Sequence, residues 1–419
     1  MPFEGILTWS SYRLLVILEE KNMVKPLEGI RVLDASRVLT GPFCSMILGD
    51  LGAEIIKIEI PGAGDDTRHW GPPFIGGESA YFLSINRNKK SVTLNLNSDA
   101  GKEVFYELAA KCDVLLENFR PGVTEKLSID YSTIAKINPN LIYCSITSFG
   151  QTGEYKERLA YDIVVQGMGG LMGITGEESR PPVRIGVALS DIGAGMYATI
   201  AILGAIIARQ RVGGGQWLDV SLLDSTISWM TYMAGDYFAT GHSPERMGSA
   251  HPSIVPYQCF KTKDNEFVTI AIGNDKLFRE FCATIGMPNL ADESRFATNP
   301  ARVQNRNQLV PILEKAFAEK TRQEWLKVLL DARLPAGPVY SMEEIFSDTH
   351  VQHREMLQKI RHPKAGIINQ IGIPMKFSQT KSEIRSPPPL LGEHTDEVLR
   401  TLLGYNAQRI SELHAKGVV

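Results

Sequence analysis

Apolar and polar positions change period along this chain. Short runs rich in Val, Ile and Leu occur at 30–35, 53–59, 91–96, 113–118 and 141–145. Between them lie stretches such as 102–111, where Val104, Phe105, Leu108 and Ala109 recur at helical spacing. This alternation predicts an α/β protein with a mostly parallel sheet covered by helices on both faces. Such a sheet gathers its ligand-binding loops at the carboxyl ends of its strands. Further on, the uncharged run 192–208 is bounded by Asp191 and Arg209. It is rich in Gly and Ala and shorter than the ~20 residues of a membrane span, so it predicts a core helix whose small residues permit close packing.

The pattern shifts after residue 225. Two β-rich runs, 257–262 and 267–272, flank the polar turn 263–266 and read as a hairpin; helical periods follow at 275–285, 306–320 and 322–333. These features predict a smaller α+β domain over 226–345 after a large domain over 23–225. The prolines at 387–389 enforce an extended path before a last helix, 395–403. Residues 1–22 read as an N-terminal extension: the partly apolar 9–18 is interrupted by Arg13, with no charged leading region and no small-residue cleavage site, so it is not read as a signal peptide. Met23, ahead of the first orderly segment, is an alternative start.

Composition narrows the function. A chain of 419 residues, 43% hydrophobic and 22% charged, buries a large core, and its formal net charge of -3 offers no basic excess for nucleic acid or a membrane surface. The five cysteines, at 44, 112, 144, 259 and 282, show neither a C-x-x-C pair nor metal-ligand spacing, so no metal is expected and the thiols read as buried and reduced. Neither G-x-x-x-x-G-K-[ST] nor H-E-x-x-H occurs, and Gly41 is followed only by Gly49 and Gly52; P-loop, zincin and dinucleotide-binding chemistry are thereby disfavoured.

Asp191 is the foremost candidate for chemistry. It stands where the small-residue loop 186–190 meets the long apolar helix. Backbone N–H groups there lack intrahelical partners, so they favour an ionised carboxylate and can hold an oxyanion built on it. A plain helix cap would use the same residue type in the same place.

Five segments in order resemble the class III CoA-transferases, the family of formyl-CoA and carnitine CoA-transferases: Leu27-Glu28-Gly29-Ile30-Arg31-Val32-Leu33-Asp34, the stretch from Gly49 to Glu59, the turn Asn86-Arg87-Asn88-Lys89-Lys90-Ser91, Glu117-Asn118-Phe119-Arg120-Pro121-Gly122, and Pro387 to Thr395. The resemblance covers nearly all of the chain from Pro26. It is nearest to the succinyl-CoA:glutarate branch, through residues 62–68 and 249–258. The resemblance implies a Rossmann-like large domain to which 346–419 returns, and an interlinked homodimer of ring-shaped chains.

For Asp191 it implies a nucleophile that forms first an acyl-aspartyl anhydride and then an aspartyl-CoA thioester. The substrates would be an acyl-CoA and a carboxylic acid, with no permanently bound cofactor. CoA contacts carry over to Val38, Leu39, Leu94, Asn97, Asn118, Phe119 and Lys126, although core packing serves equally for the apolar ones and a solvated charge for Lys126. Tyr161 and Asp162 fall beside the nucleophile, and His251 and Ser253 stand where formyl-CoA transferases have a glycine-rich loop. A dicarboxylate needs a cation for its distal end; Arg184, Arg68 and Arg87 are the candidates. The rival is an α-methylacyl-CoA racemase, against which Tyr161 counts because that branch has a histidine there as acid or base. Succinyl-CoA with glutarate is the expected pair, and the cytoplasm the expected location, with the mitochondrion as alternative.

Overall fold

The computed structural model describes residues 24–419, so the extension 1–22 and Met23 lie outside the described residues. The chain forms two compact units. One holds residues 24–169, Gly186–Trp229 and His350–Val419; the other holds Gly170–Ile185 and Met230–Thr349. The expected continuous block 23–225 is corrected here, because 170–185 belongs with the second unit. That segment presents no apolar period for the sheet to bury, and its backbone is held instead by Gly248 N–H on the Gly176 carbonyl at 2.8 Å and by the Arg246 guanidinium on the Arg180 carbonyl at 2.9 Å.

The first unit is built on six strands: β1 (Arg31–Asp34), β2 (Glu54–Glu59), β3 (Lys89–Thr93), β4 (Val114–Glu117), β5 (Ile142–Thr147) and β6 (Trp217–Ser221). Their order is β3-β2-β1-β4-β5-β6 and every neighbouring pair is parallel. Side chains alternate between two apolar faces, as a parallel sheet covered on both sides requires. On β1, Val32 joins Leu48, Ile55, Val114 and Ala198 on one side, while Leu33 joins Ile56, Phe105, Leu115 and Leu399 on the other. Five strands overlap the apolar runs, although β3 begins two residues before its run, at Lys89, and ends at Thr93. The sixth, β6, was not expected: it is an edge strand whose sequence alternates Leu218 and Val220 with Asp219 and Ser221, so no continuous apolar run marks it.

Helix α1 (Thr40–Asp50) follows β1, α2 (Asp99–Ala109) follows β3, α3 (Asp162–Met168) follows β5, and α4 (Leu189–Val212) leads to β6. The apolar run is a core helix on one side: Gly193, Ala194, Gly195, Ala198 and Ala205 of α4 are buried. A Cβ at Gly195 would lie 2.7 Å from the Thr40 carbonyl oxygen, so glycine there lets α4 approach the start of α1 closely. The tail returns to this unit. The Arg385 guanidinium donates to the Gly49 carbonyl at 2.7 Å and the Ala53 carbonyl at 2.9 Å, and the Asn95 N–H donates to the Val418 carbonyl at 2.8 Å.

In the second unit Tyr257–Lys261 and Phe267–Ala271 pair antiparallel, as the hairpin reading expects, and Ala336–Pro338 adds a third strand. The helices Asp275–Thr284, Arg306–Phe317 and Arg322–Asp331 cover a core of Phe260, Phe278, Phe281, Phe317 and Trp325.

Candidate active site

Strand order reverses between β1 and β4, the place where a doubly wound sheet opens a crevice at its carboxyl edge. Residues 37–40, 118–121, 146–148 and 158–161 line a cavity of about 520 Å³ there, with Asp191 in its wall. Polar side chains hold the first loop. Asn118 clamps Arg37, accepting its N–H and donating to its carbonyl, both at 2.8 Å. Asp65 accepts the Val38 N–H at 3.3 Å and the buried Lys57 ammonium at 2.8 Å. Burial alone would push the Asp65 carboxyl up, but Lys57 and the hydrogen bonds from Thr67 together outweigh it and hold the group at about 2. The anchorage sustains a strained backbone: Val38 has φ 68°, a left-handed conformation that β-branched residues rarely adopt.

Asp191 is the third residue of α4, not its cap. Ala188 occupies the cap position and makes no side-chain cap hydrogen bond. The free Ser190 N–H instead donates to Oδ1 of Asp162 at 2.9 Å, and Gln166 Nε2 donates to Oδ2 of Asp162 at 2.7 Å. Relieved of capping, Asp191 faces the cavity and accepts the Thr40 hydroxyl on Oδ1 at 2.5 Å. Burial pushes its carboxyl up to about 6, with a further push from the Asp162 charge; the Thr40 hydrogen bond acts the other way. The group is therefore ionised near neutral pH yet more basic than an ordinary carboxylate, as suits a nucleophile.

Val38, Leu39, Asn118, Phe119 and Tyr161 come together with Asp191 around the cavity, Tyr161 being 73% exposed. Asp162 lies beneath, at 7% exposure, as the cap of α4. Leu94 is a core residue at 2% exposure, packed with Ile58, Val92 and Phe105, so its side chain serves packing. Asn97 and Lys126 are exposed and do not line the cavity. Two arginines proposed for a distal carboxylate are already engaged. Arg68 grips Glu59 through two 2.7 Å hydrogen bonds and lies 3.7 Å over the Phe82 ring; Arg87 donates to Asp50 at 3.0 and 2.7 Å.

Arg184, His251 and Ser253 belong to the second unit. Arg184 is exposed and donates to the Ile185 carbonyl at 3.1 Å. The His251 ring stacks on Tyr232, centroids 5.4 Å apart, and its Nδ1 accepts the Ser253 N–H at 3.1 Å. That bond leaves Nε2 to carry the proton in the neutral ring.

Further residues of the cavity wall escaped the sequence reading: Thr40 and the cations Arg37, Arg120, Lys156 and Arg158. Arg37 and Arg120 are next to Val38 and Phe119, two residues expected to contact ligand, so charge beside those positions was the available signal. Thr40 offered none, being 151 residues from its partner.

Residues 27–395 match the model of a family described as CoA-transferase family III. The chain is 46% identical to the succinyl-CoA:glutarate CoA-transferase of Mus musculus over 398 residues, which cover 95% of this chain and 91% of the mouse protein. It is 40% identical to the succinate–glutarate CoA-transferase of Agrobacterium fabrum, over 91% of this chain and 96% of that protein. A crystal structure of a CAIB/BAIF family protein from Brucella suis superposes with a TM-score of 0.81 at 42% identity, covering 90% of this chain and 100% of that one.

Proposed function

The chain belongs to CoA-transferase family III, and from that premise we propose that it moves CoA from succinyl-CoA to glutarate through intermediates carried on Asp191. The observation that carries the assignment of the nucleophile is the placement of Asp191: a desolvated carboxylate, raised to about 6, in the wall of the switch-point cavity and spared from capping by Asp162.

The chemistry follows from the substrates. Asp191 attacks the thioester carbonyl carbon; a C–O bond forms, the C–S bond breaks, and the electron pair leaves on the CoA sulfur. The thiolate then attacks Cγ of Asp191, forming an aspartyl-CoA thioester and expelling succinate. Glutarate reverses both steps and leaves as glutaryl-CoA. Each exchange trades one carboxylate or thiolate for another, so the protons balance throughout. Arg37, Arg120, Lys156 and Arg158 supply the positive charge in the cavity wall that CoA phosphates require. Val38, Leu39, Asn118 and Phe119 of the cavity wall flank the pantetheine in this reading.

Succinyl-CoA mixed with glutarate and the purified enzyme should yield glutaryl-CoA, and Asp191→Asn should abolish the product. Hydroxylamine added during turnover should inactivate the wild type through a modified Asp191. Glutaryl-CoA formation by the Asn variant at the wild-type rate would overturn the proposal.

The working form is proposed to be an interlinked homodimer. Supporting it, α4 is two-faced: opposite its buried small residues it exposes Met196 at 50%, Ile200 at 61% and Ile207 at 51%, an apolar stripe that a second copy would cover. Light scattering on the eluting protein should give twice the 46.4 kDa chain mass.

A further inference from the structure

The Thr40 hydroxyl touches the reacting group and nothing in the mechanism above uses it. It donates to Oδ1 of Asp191 at 2.5 Å from a residue only 4% exposed, the first of α1. Its position is held from two sides. Gly195 packs against the Thr40 carbonyl with no room for a Cβ, and the preceding residues are clamped by Asn118 and Asp65. A buried donor this constrained reorganises little as charge develops on its acceptor.

We propose, resting on the assignment of Asp191 as nucleophile, that Thr40 is a catalytic residue that selects Oδ2 as the attacking oxygen and stabilises the oxyanion formed on Oδ1. Once Oδ2 has bonded to the acyl carbon, Oδ1 becomes the carbonyl oxygen of the anhydride. When the CoA thiolate attacks Cγ, the S–Cγ bond forms, the π pair moves onto Oδ1, and collapse breaks Cγ–Oδ2 to release the acid as carboxylate. In the resulting thioester Oδ1 is again the carbonyl oxygen, and attack of the acceptor carboxylate on Cγ returns the charge to the same atom. The hydroxyl already faces that atom, so one donor serves both attacks on Cγ. It does not serve the attacks on the substrate acyl carbon, whose oxyanion lies on a different oxygen.

That division makes the inference testable. Thr40→Val keeps the shape and removes the donor; Thr40→Ser keeps the donor. Loss of one preorganised oxyanion donor lowers kcat about a hundredfold, so Thr40→Val should show that loss with KM for succinyl-CoA changed less than about threefold, while Thr40→Ser stays within about fivefold of wild type. Because only attacks on Cγ are slowed, rapid quenching with intact-protein mass spectrometry should find more succinylated enzyme in Thr40→Val than in wild type. Equal kcat in wild type and Thr40→Val, or a loss in both variants without accumulation of acylated enzyme, would overturn the role of Thr40. An active Asp191→Asn would instead overturn the nucleophile assignment, so the two failures are distinguishable. Matching circular dichroism spectra and melting temperatures identify the folded variants to be compared.

Discussion

Asp162 accepts the Ser190 backbone N–H at 2.9 Å, so one buried carboxylate closes the first turn of α4 and a second, Asp191, is left free in the same turn. The two carboxylates have separate tasks. The cap fixes the helix end in space, and its negative charge adds to the burial that raises Asp191.

Replacing Asp162 should separate those effects. Asp162→Ala removes the cap and should cost about 1 kcal/mol of stability, the usual worth of such a residue, read from denaturant midpoints. Asp162→Asn retains an acceptor but removes the charge. Since that charge raises the Asp191 pKa, the acid limb of the kcat/KM profile for succinyl-CoA should move to lower pH in this variant.

The wild-type profile should lose activity as pH falls through about 6, where Asp191 becomes protonated. Glu117, buried at the end of β4 and accepting the Phe119 N–H at 2.8 Å, is pushed up to about 7 by its burial. Glu117→Gln should leave the Asp191 limb in place, and a limb that vanishes with this substitution would reassign it.

Asp191 should also oppose folding at neutral pH. Its folded pKa is raised above the ordinary value of 3.8, so its contribution to stability is fully present below that value and is lost as pH rises through about 6. At pH 7 the loss approaches the order of 2–3 kcal/mol. Asp191→Asn should therefore be inactive yet more stable than wild type at pH 7, with the advantage shrinking at pH 4. Urea unfolding at the two pH values measures this difference.

Arg68 should behave as a structural residue. Its pair with Glu59 is nearly inaccessible, at 7% and 1% side-chain exposure, and the same guanidinium donates to the Pro389 carbonyl of the tail at 3.2 Å. Arg68→Ala leaves a buried carboxylate without its partner and should cost about 3–5 kcal/mol. The KM for glutarate in the protein that still folds should be unchanged, whereas a large rise in that KM would return Arg68 to the substrate.

The cations in the cavity wall should act on CoA affinity. Arg158→Ala should raise KM for succinyl-CoA about tenfold, the scale of one hydrogen bond to a charged group, and leave kcat nearly unaltered. Added salt should narrow the difference, because Arg158 is exposed and its interaction with a phosphate is screened.

The sheet was legible in the sequence because a parallel strand buried on both faces is written as a local apolar run; Val32 and Leu33 serve opposite faces and both must be apolar. Asp191 was legible for a related reason, as a charge at the boundary of a long uncharged stretch. Hydropathy runs did not mark β6, whose edge position allows polar residues, and charge type could not show that Arg68 and Arg87 are committed to Glu59 and Asp50. Only the tertiary structure set Asp162 as the cap of α4 and Thr40 as the donor to Asp191, across 28 and 151 residues of chain. Periodicity reports which face of an element is buried, whereas a hydrogen bond between distant residues depends on how the elements carrying them pack, and here Gly195 lets α4 come close enough to α1 for Thr40 to reach Asp191.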